Sequence, residues 1–140
     1  MIKLRICFQA LLFIFLVPCA AFASSEKHLH ALGIYSNIQK LAEGGDLSGF
    51  EIWYVISTDG DMVVFQSTTE MPSPPIVVPA KFDGKRLEFE IPEGEDGAGT
   101  YSGILNGKSY IGKWRYKKKG GGYGEEEFKL KKGKTYWERF

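Results

Sequence analysis

The stretch "GTYSGILNGKSYIGKW", residues 99–114, indicates a β-hairpin. Asn106-Gly107 lies at its centre, and this dipeptide favours a type I′ turn because both central residues of that turn need positive φ. A two-residue turn at this point predicts three glycine–aromatic pairs on one face: Gly99 with Trp114, Tyr101 with Gly112, and Gly103 with Tyr110. A ring opposite glycine covers bare backbone, and glycine lets a sheet bend, so the hairpin favours a strongly curved sheet.

Turn signals recur along the chain at intervals of about a dozen residues, at Asp59-Gly60, at Asp83-Gly84 and at softer breaks between them. We predict eight strands near 48–58, 61–69, 75–82, 85–92, 99–105, 108–118, 125–131 and 134–140. All connections are short. The sequence therefore predicts an all-β fold, a single small antiparallel up-and-down β-barrel of about eight short strands.

The first residues are typical of a secretory signal peptide. A cationic start, "MIKLR", precedes the apolar run "ICFQALLFIFLVPCAAF", and Ala21 and Ala23 are the small residues that a signal peptidase reads. We expect cleavage after Ala23 and an exported protein, periplasmic or secreted, with no stable membrane span after cleavage. Cys7 and Cys19 lie in this leader, so we expect the mature chain to fold without a disulfide.

We divide the chain into a signal peptide (1–23), an N-terminal segment (24–46) and a barrel domain (47–140). The N-terminal segment permits two interpretations. Ile34, Ile38 and Leu41 share one face of a short helix, whereas Gly44-Gly45 could turn an extra strand back onto the first predicted one. The sequence leaves both interpretations open, together with the oligomeric state.

Charge is divided unevenly, with 13 acidic and 5 basic residues in 24–100 but 4 and 11 in 101–140. A five-residue loop at 120–124 would place the lysine run 117–119 opposite the glutamates 125–127, which neutralises that run. The same pairing sets like charges beside each other on the outward face. We predict a basic strip that binds an anionic partner, made of Lys113, Arg115, Lys129 and Lys131.

Aromatic residues are frequent, with 3 tryptophans, 7 tyrosines and 10 phenylalanines. An eight-stranded barrel is wide enough either to be filled by side chains or to hold one small ligand. We favour filling, because aromatic stripes most often pack the core. If the lumen is open, the candidate ligand contacts are Tyr54, Tyr101, Tyr110, Trp114 and Tyr116.

The mature chain carries no recognisable motif of catalysis. "GTYSG" lacks the strand–elbow–helix context of a serine nucleophile, and no glycine-rich phosphate loop opens a helix. His28 and His30 have no cysteine or carboxylate pair nearby to complete a metal site. We therefore expect no enzyme, no catalytic residue, no cofactor, no metal and no nucleic-acid partner.

The order of several motifs resembles small exported proteins of Gram-negative bacteria that carry no assigned function. The motifs are "GDLSGFEIW", "VFQS", "PSPPIVV", "GTYSG" and "KTYWE". The architecture also resembles the lipocalin and avidin barrels, although the lipocalin Gly-x-Trp signature and an avidin ligand set are not evident. Turn and packing motifs imply no active site.

Three classes of function remain at this point. We expect a non-catalytic binding protein for another macromolecule of the cell envelope, of the inhibitor, immunity or assembly type, with an envelope protein or an anionic glycan as partner. The alternative is a carrier of a small apolar ligand in the barrel lumen. An enzyme without a recognisable motif is the third class.

Overall fold

The computed structural model describes residues 30–42 and 45–139, so the expected signal peptide lies outside the described residues. Within them the chain forms nine strands and a short 3₁₀ helix. The elements are β1 (His30–Ser36), β2 (Gln39–Lys40), β3 (Leu47–Ser57), β4 (Gly60–Pro72), β5 (Ile76–Phe82), β6 (Arg86–Ile91), β7 (Gly99–Leu105), β8 (Ser109–Lys117), β9 (Tyr123–Gly133) and the 3₁₀ helix (Tyr136–Arg139).

Strands β3 to β9 form an antiparallel meander in which each strand pairs with the next. β1 pairs with β9 on one side and with β3 on the other, and this double pairing closes the sheet into an eight-stranded barrel. The two-residue strand β2 runs alongside the start of β3. The predicted fold class, an all-β single up-and-down barrel, is confirmed.

The origin of the eighth strand corrects the sequence prediction. It is β1, from the N-terminal segment, so the extra-strand interpretation of that segment holds and the barrel begins before residue 47. The strand predicted at 134–140 is wrong, because the chain there leaves the sheet and forms the 3₁₀ helix. The place between β9 and β3 is already occupied by β1, so the last residues have no ladder to join.

The hairpin turns after β5 and β7 begin one residue later than predicted. Asp83 and Asn106 stand just before the two central residues, and each side-chain oxygen accepts backbone N–H bonds from two and three residues further on, at 2.7–3.0 Å. Gly84 and Gly107 become the first central residues, with φ of 94° and 78°. The two turns thus have glycine at the first central position, as in type II′ turns, and are not the predicted type I′ turns.

This change shifts both predicted registers by two residues. Ala80 pairs with Phe89 instead of Leu87, and Tyr101 pairs with Trp114 instead of Gly112. A shift of two leaves every side chain on its predicted face, because side chains alternate with a period of two. The three predicted glycine–aromatic pairs are therefore wrong, although their residues were correctly assigned to the inward face.

Gly103 and Gly112 lie opposite each other, and their backbones approach closely. A Cβ atom on Gly103 would stand 2.5 Å from the carbonyl oxygen of Ile111 and 2.8 Å from Cα of Gly112. Only residues without side chains allow β7 and β8 to meet in this way. The predicted role of the glycines, to let the sheet curve, is consistent with this close approach.

Packed side chains fill the barrel interior. The buried core cluster comprises Tyr35, Ile52, Tyr54, Val63, Phe65, Val78, Leu87, Phe89, Ile91, Tyr101, Tyr110, Phe128 and Leu130. Phe89 and Tyr101 stack with ring centroids 4.9 Å apart, and Tyr101 stacks on Trp114 at 5.8 Å. Contacts of this kind stabilise a core beyond the area that they bury.

We expect Gly103→Ala to lower the free energy of unfolding by about 1–3 kcal/mol, because its Cβ would collide with the backbone of β8. Gly133→Ala is the matched control, since a Cβ atom added to that strand glycine would have nothing within 4 Å. Urea unfolding of both variants checks the expectation. Equal midpoint shifts would contradict the close approach of β7 and β8.

Burial raises the pKa of Tyr101 and Tyr110 above the ordinary 10.0, and burial with the nearby Asp61 raises that of Tyr54 to about 12. The folded state therefore keeps protons that the unfolded chain releases near pH 10. The stabilisation is complete below that pH and is lost as the pH rises above it. Urea unfolding from about pH 9 to about pH 11 should show the decline.

The Tyr101→Phe variant should decline less steeply over the same range, because it removes one of the retained protons. A free energy of unfolding that stays constant across this range in the wild-type protein would refute the assignment of these tyrosines to a dry core.

Candidate functional site

The outer surface of the barrel divides into two halves of different chemistry. On β6 to β9 the outward positions alternate with the buried ones and are mainly charged or polar: Arg86, Glu88, Glu90, Thr100, Ser102, Lys113, Arg115, Glu125, Glu127 and Lys129. A sheet with one dry and one wet face has this pattern. This half is an ordinary solvated surface.

The other half, on β1, β3, β4 and β5, carries apolar side chains at outward-facing positions. One cross-strand row on its outward side consists of Ile34, Trp53, Val64 and Val77, and the next row contains Val55, Met62 and Pro79. Val77 is 61% exposed and Trp53 is 37% exposed. We call these seven residues, with Pro75 and Trp137 beside them, the apolar face.

A buried carboxylate organises one end of the apolar face. Glu51 points outward from β3 but is only 1% exposed, because the C-terminal segment covers it. Its Oε1 accepts hydrogen bonds from Trp53 Nε1 at 2.7 Å and from Thr135 Oγ1 at 2.6 Å, and its Oε2 accepts one from the backbone N–H of Tyr136 at 2.8 Å. Three donors offset the loss of hydration of the carboxylate.

These bonds fix two tryptophan rings. Glu51 orients Trp53 directly, and by holding the backbone at Tyr136 it positions Trp137, whose Nε1 donates to Gln66 Oε1 at 2.9 Å. Between the rings lies a groove of about 310 Å³, lined by Glu51, Trp53, Val64, Gln66, Pro75 and Trp137. The groove is open to solvent along a mainly apolar wall.

The arrangement is suited to binding rather than to bond making or breaking. The carboxyl group in the groove already accepts three hydrogen bonds from the protein itself. What reaches solvent is ring and aliphatic surface, held in place before any partner arrives. Val77, Trp137 and Trp53 are exposed members of the apolar face, whereas Val55 is only 8% exposed.

The pairing from which the basic strip was predicted is wrong, because the β8–β9 register differs by four residues from the predicted one. The loop is 118–122, and Lys113 and Arg115 lie opposite Glu127 and Glu125 instead of Lys131 and Lys129. Lys113 Nζ stands 2.6 Å from Glu125 Oε1, and this hydrogen bond and its charge raise the pKa of Lys113.

The remaining members of the strip have no like charge directly opposite them on the neighbouring strand. Arg115 lies over the ring of Tyr123 at 4.5 Å, while Lys129 and Lys131 pair across the ladder with Ile111 and Ser109. The juxtaposed like charges on which the strip rested are thus absent from this ladder. We do not propose it as a binding site.

The predicted neutralisation of the lysine run 117–119 by the glutamates 125–127 is also wrong. Lys117 lies opposite Tyr123 and reaches Glu93 at 3.4 Å, and the other two lysines stand in the loop.

The sequence contained a signal for the true β8–β9 register. Tyr116 covers Gly124, where an added Cβ atom would lie 2.5 Å from the ring, the glycine–aromatic pairing expected in the preceding hairpin.

The five candidate lumen contacts separate into two groups. Tyr54, Tyr101 and Tyr110 are at most 1% exposed and belong to the packed core, where Tyr110 donates a hydrogen bond to the carbonyl of Leu87 at 2.9 Å. Trp114 and Tyr116 are half-buried near the end of β8, with centroids 4.5 Å apart. Tyr101 and Trp114 also line a cleft of about 380 Å³ at one end of the barrel.

Among residues 30–42 and 45–139, no group of histidine, cysteine or acidic side chains is arranged to hold a metal ion. Over the same described part of the chain, no helix has the length and apolarity needed to cross a membrane.

Fold and surface together define a class of protein: a closed eight-stranded antiparallel barrel with a filled interior and a one-sided apolar exterior. Comparison adds no family to this description, since no family model, no curated protein and no solved structure matches the chain. The resemblance to lipocalin and avidin barrels is an expectation that these comparisons leave untested.

Sequence reasoning missed the apolar face, although a signal for it existed. The runs "IWYVI" (52–56), "MVVF" (62–65) and "IVV" (76–78) are apolar at consecutive positions instead of alternating. Continuous apolar runs are typical of strands covered on both faces. In a barrel whose inside is already filled, the second face must look outward.

We expect Glu51→Gln to lower the free energy of unfolding by about 1–3 kcal/mol, because an amide nitrogen would replace an oxygen that accepts a buried hydrogen bond. Trp137 should become more mobile, with a red shift in tryptophan fluorescence. Glu90→Gln, at an exposed outward position, is the control. Unchanged stability and fluorescence in Glu51→Gln would show that the carboxylate does not hold the C-terminal segment.

Proposed function

We propose that this protein is a non-catalytic binding protein of the cell envelope that docks on another protein through the apolar face. The observation that carries the proposal is the row Ile34, Trp53, Val64 and Val77, which places apolar side chains outward across four neighbouring strands. Export through the signal peptide is the expectation that locates this activity in the envelope.

The fold itself does not require these outward residues to be apolar. β6 to β9 belong to the same barrel and carry charged residues at equivalent outward positions. Val77 contacts solvent over 61% of its surface, so its burial on folding accounts for little of its apolar character. A partner that covers the face would remove this surface from water, which favours association by about 25 cal/mol per Å² before the costs of binding.

Tryptophan rings that are fixed in advance suit an interface. Side chains that lose rotamer freedom on binding weaken affinity, whereas Trp53 and Trp137 are already restrained by hydrogen bonds to Glu51 and Gln66. Tryptophan is also enriched among the residues that dominate binding energy. The groove between the two rings is the place for an anchoring side chain of the partner.

An apolar protein surface fits the face better than the anionic glycan expected from the sequence. None of the nine residues of the apolar face is charged, and the carboxylate beneath the groove is buried. Binding should therefore depend weakly on salt, because few exposed charges are brought together.

Val77→Asp tests this function, because it places a charge on the most exposed member of the cross-strand row without touching the core. We expect retention of an envelope protein on the immobilised mature chain to fall at least tenfold, about 1.4 kcal/mol. Ile111→Asp is the matched control, since Ile111 is 43% exposed on the charged half. Retention should survive in the control and should persist at high salt.

Equal retention by the Val77→Asp and wild-type proteins would refute docking through the apolar face. Sedimentation equilibrium of the wild-type protein provides a second check. If the face instead joins two copies of this chain, the protein is a dimer that Val77→Asp converts to a monomer, and the proposal of a different partner is wrong.

A further inference from the structure

Strand β9 is paired along both sides only near its end. Its Tyr123–Lys131 stretch pairs with β8, but its pairing with β1 covers only Lys131–Gly133. Among the described residues, no strand pairs with positions 123–130 of β9 on the side away from β8. The barrel wall is therefore split at this end, between β9 on one side and β2 and β3 on the other.

Backbone alternation shows which groups of β9 face the split. The N–H of Lys132 donates to the carbonyl of Lys108, in the β7–β8 turn, at 2.8 Å, which directs even-numbered residues of β9 toward β8. In an antiparallel strand the next residue directs its N–H and C=O the opposite way. Glu125, Glu127 and Lys129 thus direct their backbone donors and acceptors into the split.

β1 is held away from this edge by its contact with β3. The N–H of Asn37 donates to the carbonyl of Phe50 at 3.2 Å, and the N–H of Phe50 donates to Oδ1 of Asn37 at 2.8 Å. These two hydrogen bonds hold the chain after β1 against β3, and β2 then pairs with β3. The split is a consequence of that attachment.

A cleft of about 380 Å³ occupies the split, within the size range of ligand sites. One wall is formed by Asn37, Ser48 and Gly49, and the other by β9. Phe50 and Phe128 line it between the two walls, with ring centroids 5.4 Å apart. An apolar floor below an unpaired strand edge is the setting in which an extended segment can add to a sheet.

The charges around the cleft select for a cationic occupant. Asp96, Glu126 and Glu127 line it, against the single cation Lys129. Asp96 accepts a hydrogen bond from Ser67 and Glu126 accepts one from Tyr116, so both carboxylates are held at the rim. A lysine or arginine side chain of an added strand would meet this rim.

We propose that the open edge of β9 binds an extended peptide segment that carries lysine or arginine, as an added strand antiparallel to β9, the direction in which β1 pairs with it. The backbone of Glu125, Glu127 and Lys129 supplies the hydrogen bonds, Phe50 and Phe128 receive apolar side chains, and the acidic rim receives the cations. This site lies on a different part of the barrel from the apolar face and does not rest on the function proposed for that face.

The test uses a fluorescently labelled, acetylated hexapeptide of alternating lysine and valine, with binding followed by anisotropy. Glu127→Pro removes one edge donor that β8 does not use, a position where proline is tolerated in a strand. Glu127→Ala is the matched control, because it loses the same carboxylate but keeps the N–H. We expect Glu127→Pro to weaken binding at least tenfold and Glu127→Ala about two- to threefold.

A second arm alters the peptide instead of the protein. N-methylation at alternate residues keeps charge and side chains but blocks the hydrogen bonds of one edge, so one of the two methylation patterns should abolish binding. The methylated peptides test the proposal even if Glu127→Pro fails to fold, which circular dichroism would reveal. Equal binding of both methylated peptides, equal effects of the two Glu127 variants, or no binding to the wild-type protein would overturn the proposal.

Discussion

The buried Glu51 carboxylate is the interaction on which the closed end of the barrel depends. β1 and β9 share only three residue pairs, from Ile34 with Gly133 to Ser36 with Lys131. Beyond Gly133 the chain crosses the outside of β1, reaches Glu51 on β3 through Thr135 and Tyr136, and reaches Gln66 on β4 through Trp137. The C-terminal segment thus links β9 to β3 and β4 across a short seam.

This link also explains why binding surface lies outside the barrel. The interior of a small eight-stranded barrel has room either for side chains or for one ligand, and here aromatic rings from most of the strands occupy it. The covering of Glu51 brings a second tryptophan to the outer face, next to Trp53. Closure of the fold and construction of the candidate site therefore use the same hydrogen bonds.

Local signals predicted most of the architecture. Turn dipeptides and alternation located seven of the strands, because both depend on short-range backbone conformation. The register of the hairpins was harder to predict from the sequence. Asp83 and Asn106 serve equally well inside a turn or just before it, and only their hydrogen bonds to the following N–H groups decide between the two.

Long-range pairing was the least predictable part. In the β8–β9 hairpin, two registers both place lysine or arginine opposite glutamate, so charge alone could not choose between them. The covering of Gly124 by Tyr116 favours the true one. The pairing of β1 with β9 joins residues about a hundred positions apart, for which no local pattern exists. The apolar face was missed because each strand was assigned one dry side.

The seam between β1 and β9 has opposite properties at its two ends, and one polar residue at each end accounts for the difference. At the end where β9 finishes, Glu51 draws the C-terminal segment over the junction. At the other end, Asn37 binds both backbone groups of Phe50 and keeps the chain on β3, away from β9. Because Asn37 holds the chain after β1 on β3, the pairing of β1 with β9 is confined to three residue pairs. The two ends of the seam thus differ because Glu51 binds the C-terminal segment at one end, whereas Asn37 holds the chain after β1 on β3 at the other.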